Sequence, residues 1–369
     1  MKKYSLFFVA VVLAASMGVL SSGCKGKKEK DTISIAFNLP LSGELATYGV
    51  AIRDGVLFAI ENISKNDSIT KFRSDFQDNA GTPRNAVNIF LKQKRRNPDV
   101  YVSGVKPQTM SIIDQVETLN IPHFTWIFDA FVTERYQNVF RTWVNYKMES
   151  EKILEYVDRV DAKKVAITFV QLPHTEEQYL EIIIPELEKR NIEYVVERYN
   201  IEKGDFRDIA TRFRAFTPDL MLINGFKANL IPLVRNFREY ALFEDGNALF
   251  TFDLLDASEE LSNELLEGLK LVVPQFETRE DNVQWKNSFR SSFNREPRYT
   301  DAYAYDMLFA IYEAYKRSGN TSNIQSNLLS MDFEGITGNV KFDKSGDLIV
   351  SLDIATYKNG KLDLEYEGN

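Results

Sequence analysis

The chain has 369 residues, 44% of them hydrophobic, which is ample for a large core and suggests about two domains. Its net charge is −8 and its basic residues form no cluster, which argues against a nucleic-acid partner. The single cysteine excludes an intrachain disulfide. Two histidines, His123 and His174, are too few for a His-rich centre, so neither metal nor cofactor is expected.

Met1-Lys2-Lys3 is a short basic start, and Leu6–Leu20 is apolar over the length of a signal-peptide core. That run is too short for a comfortable membrane span. Residues 1–23 therefore read as a signal peptide. Ser21-Ser22-Gly23-Cys24 resembles the lipobox of bacterial lipoproteins, whose cysteine is acylated and becomes the mature N-terminus. Ser21 stands where the lipobox has an aliphatic residue, and plain secretion with a free thiol is the alternative. Residues 24–31 form a charged tether, lipidated at Cys24 in the first reading.

Ile33–Phe37 reads as a buried strand. Pro40, Ser42 and Gly43 make a turn, and Val50, Val56, Leu57, Ile60 and Ile63 recur at roughly helical spacing. Strand, turn and helix in this order aim backbone N–H groups at the carboxyl edge of a sheet. The loop is either a cradle for an anion or an ordinary connection. Phe72–Asp78 is the next strand, and Thr82 with Pro83 opens a helix. Val100–Gly104, a helix Thr109–Leu119, a strand Ile121–Trp126 and a short strand Val139–Thr142 complete a first α/β unit.

The rhythm then restarts. Helices are predicted over Glu149–Val160, Glu176–Arg190, Arg207–Phe216 and Asn229–Tyr240. Strands alternate with them at Lys163–Val170, Ile192–Tyr199 and Asp219–Ile223. Ala248–Phe252 and Leu269–Val273 are further strands, with a helix near Glu259–Leu266 between them. Three helices follow, Val283–Phe293, Thr300–Arg317 and Asn323–Ser330, then short strands Asn339–Phe342 and Val350–Tyr357. Those helices do not extend the second unit and fit better as a return to the first.

At this point the residues resemble a known group, the type I periplasmic binding proteins of the Leu/Ile/Val-binding family. Asn38–Gly49 is similar to the family's opening motif. Phe76-Gln77-Asp78, Gly104, Phe140-Arg141-Thr142 and Gly204-Asp205-Phe206 follow in the family's order. Glu296-Pro297, Ala302–Asp306, Phe333–Gly338 and Phe342-Asp343 match its closing signatures. The resemblance implies two doubly wound α/β lobes joined by a three-stranded hinge that closes on a ligand. Lobe 1 would comprise 32–143 and 274–343, and lobe 2 would comprise 144–273 and 344–369. The crossings would lie near Trp143-Val144, Val273-Pro274 and Asp343–Asp347.

The same resemblance implies a ligand site. Leu41, Ser42 and Tyr48 would wall the cleft from lobe 1. The third loop would offer Lys106, Gln108 and Thr109, with Lys106 either a ligand partner or a solvated surface residue. Trp126 and Phe128 stand where a head group is usually held, and core packing is the alternative for at least one of them. Asp129 would meet a cation or cap a turn. In lobe 2, His174, Phe226, Lys227 and Asp253 fall on contacting positions, Asp253 near an acid that pairs with a ligand ammonium. Because this set departs from the amino-acid pattern, branched-chain specificity is not implied. The expected ligand is a small polar or amphipathic metabolite with an apolar or aromatic part.

The implied function is solute capture for an ABC permease by a monomeric protein held to the membrane through its N-terminal lipid. A ligand-binding sensor on the same fold is the second reading. An enzyme is the third, and it lacks a Gly-rich phosphate loop, a metal cluster, a G-x-S-x-G elbow or a cysteine nucleophile.

Overall fold

A computed structural model describes residues 31–243 and 246–365. The signal segment, Cys24 and most of the tether lie outside those residues.

Two parallel sheets organise the chain. The first has the order β2-β1-β3-β4-β5, formed by β1 (Thr32–Leu39), β2 (Lys71–Asp78), β3 (Val100–Ser103), β4 (His123–Thr125) and β5 (Val139–Arg141). Every pairing in it is parallel, with Ile35 opposite Val100 and Phe124 opposite Phe140. The second sheet takes β6 (Lys164–Val170), β7 (Glu193–Tyr199), β8 (Leu220–Ile223), β9 (Ala248–Phe250) and β10 (Lys270–Pro274). A small hairpin, β11 (Asp332–Gly335) with β12 (Gly338–Lys341), stands apart. The last strands, β13 (Leu352–Lys358) and β14 (Lys361–Leu364), join the second sheet antiparallel, giving the order β14-β13-β10-β9-β8-β6-β7. A parallel sheet covered on both faces needs runs apolar throughout, and β6 and β8 are almost wholly buried.

Local chemistry sets the helix ends. The Thr82 hydroxyl accepts from the Asn85 N–H, with Pro83 in the first turn of helix Pro83–Gln93. Three predicted helices differ from expectation. The third-loop helix starts earlier and breaks into Lys106–Met110 and Ile113–Glu117. The helix after β6 is π-helical over Glu177–Ile183 before resuming at Ile184–Lys189. Pro185 has no N–H to offer the preceding turn, and the wider turn lies just before it. The stretch between β9 and β10 is likewise two short helices, Leu254–Ser258 and Asn263–Leu266.

The late helices do return to the first sheet. Tyr299–Lys316 lies along Ala46–Asn66 and shares the first core with β1, β3 and β5. The approach is close at Gly55, where a Cβ would stand 2.1 Å from the Asp301 carbonyl oxygen. A separate core fills the second lobe around Phe213, Phe237 and Phe250. The chain thus passes from one sheet to the other after Arg141, after Pro274 and again between Phe342 and Leu352. Isolated bridges, Arg141 with Asp347 and Phe342 with Leu348, hold the first and last passages side by side.

Candidate functional site between the lobes

The opening loop is already occupied from within. Leu41 N–H and Ser42 N–H donate to Asp78 Oδ1 at 2.9 and 3.2 Å, and the Ser42 hydroxyl donates to Oδ2 at 2.6 Å. Burial would raise the Asp78 carboxyl, but these bonds and one from Ala80 N–H hold it below its usual range. The donors expected to cradle an anion therefore serve the protein's own carboxylate.

The third loop is similarly committed. The Thr109 hydroxyl donates to the Gly104 carbonyl at 3.0 Å and sits in a buried network with Ser103, Thr125 and His123. Burial pushes His123 down to about 3, so its ring is neutral. Gln108 donates to the Gly81 carbonyl, which leaves its own Oε1 without a partner. Lys106 reaches Asp129 at 2.5 Å, so the acid meets a cation of its own chain. Trp126 belongs to the lobe 1 core. Phe226 precedes helix Lys227–Glu239 and packs on the lobe 2 core, while Lys227 pairs at the surface with Glu259 and Glu260.

The remaining expected residues come together where the lobes meet. Phe128, from lobe 1, lies edge-on to His174 with ring centres 5.2 Å apart, and near Phe252 at 6.0 Å. Burial lowers the His174 ring below its ordinary value. Tyr48 stands edge-on to Trp143 and donates its phenol to Asp256 at 3.3 Å. Burial, reinforced by Asp256, pushes that phenol up. Trp143 also contacts Phe252 and Tyr299, so one aromatic seam joins both lobes. Such edge and tilted pairs each add about 0.5–1.5 kcal/mol beyond area burial. Arg298, at the start of helix Tyr299–Lys316, closes the rim by pairing with Asp256 at 3.5 Å and with Glu259.

Behind the seam, at the carboxyl ends of β6, β8 and β9, lies a buried polar floor. Glu149 is fully buried; it accepts from Gln178 at 2.9 Å and from Phe252 N–H at 3.1 Å. Asp253 accepts from Thr251 at 2.8 Å and from Asn224 at 3.3 Å. Burial pushes Glu149 up to about 7; burial and then Glu149 push Asp253 well up. Of this floor the sequence reading found Asp253 alone. Glu149 had a readable signal: it occupies the buried stripe that continues through Ile153 and Val157, where a carboxylate is out of place. Trp143 was read as part of a crossing, while nothing local marks Phe252, Asn224 or Gln178.

Among the described residues no group of three or more His, Cys, Asp or Glu is placed to hold a metal ion. No helix among them is long and apolar enough to cross a membrane. A cavity of about 430 Å³ lined by Tyr305, Phe309 and Phe333 opens elsewhere on lobe 1 and shares no residue with the seam.

The chain is 25% identical over 353 residues to a leucine-, isoleucine-, valine-, threonine- and alanine-binding protein of Pseudomonas aeruginosa, spanning 89% of this chain and 90% of that one. It superposes with a TM-score of 0.74 on a branched-chain amino acid transporter substrate-binding protein of Streptococcus pneumoniae solved with isoleucine. That pair is 20% identical over 90% of this chain and 98% of the other. A solute-binding protein of an ABC transporter from Rhodopseudomonas palustris, solved with 3,4-dihydroxybenzoic acid, gives 0.76 at 18% identity, over 90% and 95%. These structures share the fold. A sequence profile described as periplasmic binding protein matches residues 32–361, and this chain belongs to that family.

Proposed function

We propose that this chain is an exported solute-binding protein that captures a small metabolite between its lobes and delivers it to an ABC permease, without turnover. Lobe 1 (32–143 and 274–343) and lobe 2 (144–273 and 344–369) close about the three passages, and the protein acts as a monomer tethered through a lipid on Cys24. The contact that carries this reading is Tyr48 with Asp256, flanked by Trp143 and Phe252, because it joins the two lobes over a polar floor. A solute that engages both lobes selects the closed state by its differential contacts. The relatives are named for branched-chain amino acids and for an aromatic acid. The aromatic seam here favours an amphipathic solute with an apolar or aromatic part.

Native mass spectrometry of freshly purified protein, with melting scans against amino, organic and aromatic acids, tests this. A retained small molecule or a melting point several degrees higher is expected. Hits confined to sugars, or turnover of the bound compound, would overturn it.

A further inference from the structure

The fold gathers cationic side chains from separate segments at one edge of lobe 1. β1 starts at Thr32, and Asp31 just before it accepts from the Tyr315 phenol at 3.2 Å. The helices of this lobe run against its parallel strands, so helices Ala46–Asn66, Pro83–Gln93 and Tyr299–Lys316 end where the strands begin. Their last turns carry Lys65, Lys92 and Lys316, and Lys94–Arg96 follow Gln93 in a short turn. Lys71 opens β2 opposite Thr32. Glu61 pairs with Lys65 at 2.8 Å, Asp67 with Lys316 at 3.0 Å and Asp75 with Arg96 at 2.7 Å. The buried Asp99 accepts from the Ser34 N–H at 2.9 Å. Lys71 donates to the Ser68 carbonyl and Lys94 lies over the Phe90 ring. Among the described residues no carboxylate pairs with Lys71, Lys92, Lys94 or Arg95, and all four are exposed. In a chain of net charge −8 this edge stands apart.

The turn from helix Ala46–Asn66 into β2 adds an apolar tip. Asp67 accepts from the N–H groups of Ile69 and Thr70 at 2.9 and 3.1 Å, which braces the turn. Ile69 is 69% exposed, more than any other large apolar side chain among the described residues. Cations at helix ends also serve the dipole, but Lys71 opens a strand and Ile69 has no charge, so the dipole accounts for neither. The tether points to the partner. Between Cys24 and Asp31 the sequence has Lys25, Lys27, Lys28 and Lys30 against one acid, Glu29, and even fully extended it spans only about 25 Å. A lipid on Cys24 therefore keeps this edge of lobe 1 beside the bilayer. Lysines and arginines held there are attracted to anionic headgroups within about a Debye length.

Resting on the lipid-anchored reading above, we propose that this edge is a membrane-contacting foot: Lys71, Lys92, Lys94 and Arg95 meet anionic lipid headgroups while Ile69 enters the interface. The cleft residues Tyr48 and Phe128 follow the carboxyl ends of β1 and β4, at the opposite edge of the sheet. Contact at the foot thus leaves the cleft uncovered for solute capture.

The mature lipidated chain, reconstituted on vesicles of phosphatidylcholine with and without phosphatidylglycerol, tests the assignment. Ile69→Cys and, as a control on lobe 2, Leu180→Cys each carry a fluorophore, read by a quencher on the lipid headgroup. With phosphatidylglycerol, quenching at Ile69 should exceed that at Leu180 roughly threefold or more, and about 1 M salt should remove most of the excess. Lys71→Glu combined with Arg95→Glu should remove it as well, at an unchanged melting point, since both side chains are exposed. Equal or reversed quenching at the two labels overturns the foot and leaves the anchor and solute capture intact. So does an excess that is unchanged without phosphatidylglycerol or in the double variant, because the tether alone would then place Ile69 near the lipid. A chain that floats with neither vesicle removes the lipid anchor, and the foot with it, while solute capture stands.

Discussion

Arg141, wholly buried at the end of β5, donates its Nε to Asp347 Oδ1 at 2.7 Å, across 206 residues of chain. The same guanidinium donates to the carbonyls of Ile127, Trp143 and Val144. One side chain therefore fixes the first and last passages between the lobes to each other. A buried charge pair broken on one side leaves the other charge uncompensated, which costs about 3–5 kcal/mol. Arg141→Ala is expected to lower the unfolding free energy by that amount in a denaturant titration. Arg141→Lys should recover only a part, since an ammonium lacks the planar fork. A loss below about 1 kcal/mol for the alanine variant would remove Arg141 from this role.

The closed rim makes its own prediction. Tyr48 donates to Asp256, and Arg298 bridges Asp256 and Glu259 from the other lobe. Tyr48→Phe combined with Arg298→Ala should leave each lobe folded but shift the unliganded protein toward open forms. A larger radius of gyration in small-angle scattering is expected, with a shift of about tenfold in the open-to-closed ratio for roughly 1.4 kcal/mol lost. An unchanged scattering curve would show that the aromatic seam alone keeps the lobes together.

The buried floor makes stability depend on pH. Burial raises Glu149 to about 7 from an ordinary 4.5. The folded chain thus holds a proton that the unfolded chain has released over this range, so stability rises as pH falls from about 8 toward 5. Burial moves Glu277 to about 7 and Asp306 to about 6 in the same direction. The melting point of the unliganded protein should therefore be higher at about pH 5.5 than at about pH 8. Glu149→Gln should shrink that difference without abolishing it, since Glu277 and Asp306 remain. A melting point lower at about pH 5.5 than at about pH 8 contradicts the assignment.

Helix Ala46–Asn66 meets helix Tyr299–Lys316 at Gly55. Alanine there gains about 1 kcal/mol of helix propensity. Its methyl, however, would lie 2.1 Å from the Asp301 carbonyl oxygen, so the helices must part. We expect Gly55→Ala to destabilise by a net ~1–3 kcal/mol, measured by chemical denaturation. A stabilised variant would mean the crossing can shift freely.

Cys24 gives a test in cells. If it is the acylated residue, the wild-type chain should partition into detergent and take up labelled palmitate, and Cys24→Ser should do neither. Equal partitioning of both would point to plain secretion.

Much of the architecture is legible in order along the chain. The buried strand β1, the polar turn after it, the Thr82-Pro83 helix start and the restart of the βα rhythm all rest on interactions within a few residues. Local periodicity and capping encode such features directly, and the spaced motifs from Asn38 to Asp343 then point to the family. The site divides differently. The sequence marks Tyr48, Phe128, His174 and Asp253 as candidates for a site between the lobes, but not the side chains they meet. Asp78 fills the Leu41-Ser42 loop from the end of the neighbouring strand, and Thr109 is tied into a network spanning β3 and β4. Glu149, Gln178 and Phe252 meet from three elements separated by dozens of residues. Periodicity tells which face of an element is buried; which side chains meet there is decided when the sheets assemble and the lobes close. The buried amide oxygens of Gln178 and Asn224 are left without a donor only once those contacts are made.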